Sequence, residues 1–209
     1  MKVENPEQKS QIAQFVERHG IPFNPADKFR RKSYFDIQDI PLARQSDILF
    51  FATATSSSKL HARGVFGCNL PSIGKLPGNT SFVVTEIGVE LLECITASKI
   101  VDAWKLQGYG LIKEVRVEDK IALDELLLGR AMKRSGMQPV TAGEGLVAAT
   151  INGVAALDDG IKLTVESSFL WGKDQSLAVT IAHNGAADLS AAMSARVSLY
   201  GLEITHGAG

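Results

Sequence analysis

Arg196-Val197-Ser198-Leu199-Tyr200-Gly201-Leu202-Glu203-Ile204 is the stretch that decides the fold, because it reads as an alternating strand close to the C-terminus. Two earlier stretches repeat the pattern. Ile161-Lys162-Leu163-Thr164-Val165-Glu166 alternates apolar and polar without a fault, and Leu177, Val179 and Ile181 alternate with Ala178, Thr180 and Ala182. A side-chain period of two belongs to a strand with one face on a core. In a sandwich, Ile161, Leu163, Val165, Leu177, Val179 and Ile181 then face inward, and Ala178, Thr180 and Ala182 face outward with little bulk. The turns between these strands carry no paired acids, no metal spacing and no activated nucleophile. The pattern points away from an enzyme and toward a β-sheet protein whose product is a surface, with small outward residues suited to close contact with a neighbouring copy.

Composition sets the outer bounds. The chain has 209 residues, 45% hydrophobic and 22% charged, which suits one large globular domain or two small ones. Net charge is −1 and the pI about 6.4, so the chain as a whole is not a basic nucleic-acid binder. Mean hydropathy is +0.06; either a well-filled core or apolar surface buried between subunits accounts for it. Cys68 and Cys94 sit far apart without a partner motif, and two reduced, partly buried thiols are the expected state. The first residues are polar and acidic with no apolar leader, and no apolar run reaches the length of a membrane span. Folding in a cytoplasm is expected.

Further elements follow from patterning. Residues 8–19 read as a short amphipathic helix, with Ile12, Phe15 and Val16 on one face and Gly20 as its stop. Such a short helix must dock on something, and Phe15 is a candidate contact. Residues 21–32 read as a linker ending in Lys28-Phe29-Arg30-Arg31-Lys32, the densest positive cluster in the chain. Lys28, Arg30, Arg31 and Lys32 are candidate contacts for nucleic acid or a membrane surface; a solvated loop is the plainer alternative. Strands are expected at 34–37, 47–55, 60–66, 82–92 and 109–117. Val83, Ile87, Val89 and Leu91 share one face of the fourth of these. Residues 96–107 suit a helix or a pair of short strands. Residues 119–133 read as a second helix capped by Asp119, and 139–145 as a loop. Residues 146–157 form a weak strand pattern broken by the hairpin signal Asn152-Gly153.

These elements amount to a mostly β chain: an antiparallel β-sandwich or jelly roll with one or two helical insertions and a short N-terminal helix. Residues 1–32 would form a helix and basic arm, and 33–209 a single jelly-roll-like domain. Chemical signatures are sparse. His19, His61, His183 and His206 are well separated, Gly67 to Lys75 lacks phosphate-loop spacing, and no Gly-x-Ser-x-Gly elbow exists. No cofactor, metal or catalytic residue is expected. Trp171 enters a turn after Phe169-Leu170, so it is a candidate for interface anchoring or sugar stacking, with core packing as the alternative.

Three stretches carry a resemblance. They are Gly74-Lys75-Leu76-Pro77-Gly78-Asn79-Thr80-Ser81-Phe82-Val83-Val84-Thr85-Glu86-Ile87-Gly88-Val89, Val115-Arg116-Val117-Glu118-Asp119-Lys120, and the closing run Ala195 to Ile204. Together they resemble segments of the jelly-roll capsid proteins of tailless icosahedral bacteriophages, over about a third of the chain. The chain is short for two barrels, so a single-jelly-roll member or minor capsid component is the nearer comparison. The resemblance implies a self-assembling shell subunit in a virion, assembled in host cytoplasm. Its implied partners are copies of itself in a capsomer, other virion proteins, and the viral genome or an internal membrane reached through the N-terminal arm. A carbohydrate- or ligand-binding β-sandwich module of a spike, tail or adhesin is the alternative reading.

Overall fold

The computed structural model describes residues 14, 16–21, 24, 26–43, 47–52, 68–72, 74–92, 97–131, 137–141, 146–151, 160–183, 188–190 and 193–207. In chain order these form β1 (Lys28–Ile40), β2 (Asp47–Phe50), β3 (Thr80–Leu92), helix α1 (Ala97–Tyr109), β4 (Leu111–Val117) and β5 (Lys120–Leu127). There follow a one-turn α2 (Leu128–Ala131), β6 (Met137–Thr141), β7 (Leu146–Ile151), β8 (Ile161–Lys162), β9 (Phe169–Trp171), β10 (Leu177–Ala182) and β11 (Met193–Thr205). The chain is an antiparallel β-sandwich. One sheet runs β1-β11-β3, with β8 and β9 both on the far side of β3; the other runs β2-β10-β4-β5. Among the described residues, β6 and β7 pair only with each other.

One continuous core lies between the sheets. Tyr34, Phe82, Val84, Ile87, Val89, Val197 and Leu199 come from the first sheet; Phe50, Ile112, Val115, Leu177, Val179 and Ile181 come from the second. Leu106 of α1 and Leu128 of α2 close one part of it. The inward placement of Leu177, Val179 and Ile181 matches the alternation in the sequence. On the opposite face of β10, Thr180 and Ala182 are buried as well, so that face is less open than small residues alone suggest.

A second, smaller cluster sits on the outer face of the first sheet. Ile21, Val83, Leu202 and Ile204 pack there, with Val16, Phe29 and Leu170 against them. The N-terminal helix therefore docks on the sandwich itself. Its end is as expected: Gly20 takes φ 59°, Gly20 N–H donates to Glu17 C=O (3.2 Å) and Ile21 N–H to Val16 C=O (3.0 Å). That pair of bonds satisfies the last carbonyls through a left-handed glycine.

Several expectations are corrected, each for a local reason. The basic cluster is not a linker, since β1 begins at Lys28 and pairs with β11 from Lys28↔Thr205 to Ile40↔Met193. Residues 119–133 form mostly strand rather than helix. Glu118 takes φ 52° and turns β4 tightly into β5. The register then slips between Val115 and Arg116, and Glu125 takes φ 46°. These irregularities space Leu123 and Leu126, both packed on the core, as a helix would. Val83 does not share a face with Ile87. β3 meets β11 at Val84↔Gly201 and at Glu86↔Tyr200, so Thr85 is an extra residue and the strand changes faces there. Residues 161–166 keep alternating exposure, but the strand stops at Lys162. Thr164 Oγ1 accepts from Ser167 N–H (3.2 Å) and Thr164 C=O from Ser168 N–H (2.8 Å), pulling the chain into a turn. The strand expected at 47–55 ends at Phe50, because Phe51 takes φ 63° with its N–H held by Asp36 Oδ2 at 2.6 Å. Met137–Thr141 is a strand where a loop was expected at 139–145. The helix reading of 96–107 holds, with bounds Ala97–Tyr109. The strand expected at 60–66 and the Asn152-Gly153 turn lie outside the described residues.

Candidate functional site: the charged end of the sandwich

The candidate basic residues open β1, and strand geometry divides them. Arg30, Lys32 and Tyr34 share one face, while Phe29 and Arg31 share the other. Register places Arg30 opposite Glu203. Glu203 stands on the inward face of β11 with Val197 and Leu199, and its side chain is only 1% exposed. A carboxylate so placed must be fully bonded or lose several kcal/mol. Three donors meet it. Lys32 Nζ lies 2.6 Å from Oε2, Tyr34 O–H donates to Oε2, and Arg30 Nε–H donates to Oε1. Lys32 also donates to Tyr34 Oη at 3.0 Å and lies 4.6 Å from that ring's centre.

The electrostatics follow from this cage. Burial pushes the Glu203 carboxyl up, but hydrogen bonds from Lys32, Tyr34 and Arg30 outweigh it and hold the carboxyl below its ordinary value. Burial, then the hydrogen bond to Glu203, push the Tyr34 phenol far up, so it stays a neutral donor. The hydrogen bond to Glu203 raises the Arg30 guanidinium further above its ordinary value. Two of the four candidate cations, Arg30 and Lys32, are thus paired with a buried carboxylate. Lys28 and Arg31 are exposed.

Trp171 is not at a surface. It is fully buried, its Nε1–H donates to Gln175 C=O (2.9 Å), and its ring meets Tyr34 at 5.7 Å and Phe51 at 6.4 Å between centres. The turn after Trp171 brings that carbonyl to the indole. Trp171 therefore offers no ring to a sugar or a neighbour, which corrects its candidacy as an interface anchor. Phe15 lies outside the described residues, as does Cys94; Cys68 is buried. Trp104, by its residue type the other candidate for ligand stacking or interface anchoring, has its side chain outside the described residues.

Exposed apolar residues mark other surfaces. Leu49 on β2 is 47% exposed, and Ile121 and Leu127 on β5 are 54% and 50% exposed. These strands are the two edges of the second sheet. Sequence reading did not single out Glu203 or the edge residues. The signal for Glu203 was present: a charged residue stands at an apolar parity of β11. No protein-family model, curated protein or solved structure matches this chain.

Proposed function

We propose that this chain is a structural virion protein, a self-assembling capsid subunit of a bacteriophage. Strand order carries the reading. With the β6–β7 pair set aside and β8 and β9 counted as one broken strand, the eight strands of the sandwich run 1-8-3-6 in one sheet and 2-7-4-5 in the other. Two nested Greek keys would generate that order, which supports the jelly-roll reading, an arrangement used by viral shells and by lectins. The resemblance of the β3, β4–β5 and β11 segments to phage capsid proteins supports the shell over the lectin. The carbohydrate-binding alternative draws no support from Trp171, whose ring is buried.

In this reading copies meet through the edges of the second sheet, where Leu49, Ile121 and Leu127 stand exposed. The charged end, with Lys28 and Arg31 outward, is the face toward genome phosphate or a membrane surface. Light scattering coupled to size exclusion, with electron microscopy of concentrated protein, tests assembly. Regular closed or sheet-like particles are expected. A stable monomer at micromolar concentration with no larger species would overturn the proposal.

A further inference from the structure

Three residues far apart in sequence converge where β1 begins and β11 ends. Ser81 Oγ lies 2.9 Å from His206 Nε2. His206 Nδ1 lies 3.5 Å from Asp27 Oδ2, with the Asp27 side chain 1% and the His206 side chain 25% exposed. Asp27 Oδ1 accepts from Gly207 N–H at 3.0 Å, whereas Oδ2 is buried and accepts no hydrogen bond. A buried carboxylate oxygen left open toward an imidazole is an uncommon arrangement that asks for a role. The histidine is held from behind. Its N–H donates to Asn79 C=O (2.9 Å) and its C=O accepts from Asn79 Nδ2 (2.8 Å).

We propose that Ser81, His206 and Asp27 form a nucleophile, a general base and an orienting carboxylate that cleave small activated carboxylic esters. The atom pairing is that of an acyl-transfer triad: hydroxyl to Nε2, carboxylate to Nδ1. The Asp27 carboxylate, 3.5 Å from Nδ1, favours through its charge the tautomer with the proton on Nδ1, leaving the Nε2 lone pair to face the serine. His206 Nε2 takes the Ser81 proton as Oγ attacks the ester carbonyl. Collapse of the tetrahedral adduct expels the alcohol or phenol, which leaves with the proton from Nε2. Water, deprotonated by the same nitrogen, then attacks acyl-Ser81, releasing the acid and returning the proton to Oγ. Asp27 acts through the histidine and is a positioning residue.

The surroundings restrict the substrate. Ser81 is 6% exposed, which restricts substrates to small acyl groups. Ladder alternation places Ser81↔Ile204 among the hydrogen-bonded pairs, two steps from Asn79–His206. The Ser81 N–H is thus committed to β11 and gives no oxyanion donor. Losing one such donor costs about 10²–10³ in rate, so aryl esters are substrates and peptides are not. The inference stands whether or not the chain assembles.

The test uses the full chain with 4-nitrophenyl acetate and, separately, a biotinylated fluorophosphonate followed by peptide mapping. Expected are an adduct on Ser81 in the unaltered protein, and ester hydrolysis that Ser81→Ala and His206→Gln each lower by at least about 10²-fold. Asp27→Asn should lower kcat with little change in KM, and Asp27→Glu should restore part of it. Absence of a Ser81 adduct in the unaltered protein, or equal hydrolysis by Ser81→Ala, would overturn the proposal. The mapping arm needs no variant and is immune to misfolding.

Discussion

Glu203 concentrates the chemistry of the first sheet in one carboxylate. Replacing it with Gln leaves Lys32 and Tyr34 facing a weaker acceptor in a largely buried place. Arg30 is 61% exposed and rehydrates easily, which discounts the loss. Glu203→Gln is therefore expected to cost about 1–3 kcal/mol, measured by urea denaturation at neutral pH. Because the folded carboxyl titrates below its unfolded value, the folded state binds fewer protons there. Its contribution is complete above the ordinary carboxylate range and is lost as pH falls through the lowered folded value. Stability curves of the two proteins should accordingly converge at acid pH; parallel curves down to pH 2 would show that Glu203 does not carry this dependence. Trp171 is a different case, a core residue with one polar atom satisfied. Trp171→Ala should lose about 3–5 kcal/mol by leaving a cavity beside Tyr34 and Phe51, again read by denaturation.

At the scale of elements, β10 and β11 were legible because nothing interrupts their inward positions: Leu177, Val179 and Ile181 in one, Val197 and Leu199 in the other. β5 was not legible, because a register slip and a left-handed Glu125 gave its apolar residues a helix-like spacing. β3 was found, but Thr85 reversed the faces assumed for Val83. The residues around Ser81 escaped for another reason. Asp27, Ser81 and His206 come from three separate segments, and no spacing rule links them. The bulge yields a sharp prediction at Gly201. A Cβ there would lie 1.9 Å from Val83 C=O, a backbone atom that cannot swing aside. Gly201→Ala should force the β3–β11 ladder apart and cost at least about 2–3 kcal/mol, whereas Gly78→Ala, with open space around it, should pay only the strain of φ 37°. Comparison of their melting temperatures checks this; equal losses would mean the ladder relaxes around the new methyl.

For the whole molecule, the proposed assembly turns on which exposed edge would meet another copy. Edge strands invite pairing, and β5 is only partly blunted by its slip and by Glu125. Ile121→Asp should lower the assembled fraction while leaving the monomer folded, because the side chain is 54% exposed and touches little of the core. Sedimentation at several concentrations, with circular dichroism as the fold control, reads both. Assembly unchanged by this substitution would move the contact away from β5.

The position of β11 has a consequence in time rather than space. It lies between β1 and β3, yet it is synthesised after every other strand of both sheets. Until residues 193–205 leave the ribosome, β1 and β3 have no neighbour to join them, and Glu203 is absent while Arg30, Lys32 and Tyr34 wait. Such distant pairing folds slowly and late. A nascent chain therefore cannot finish its first sheet early, and the sandwich does not close until translation has passed β11.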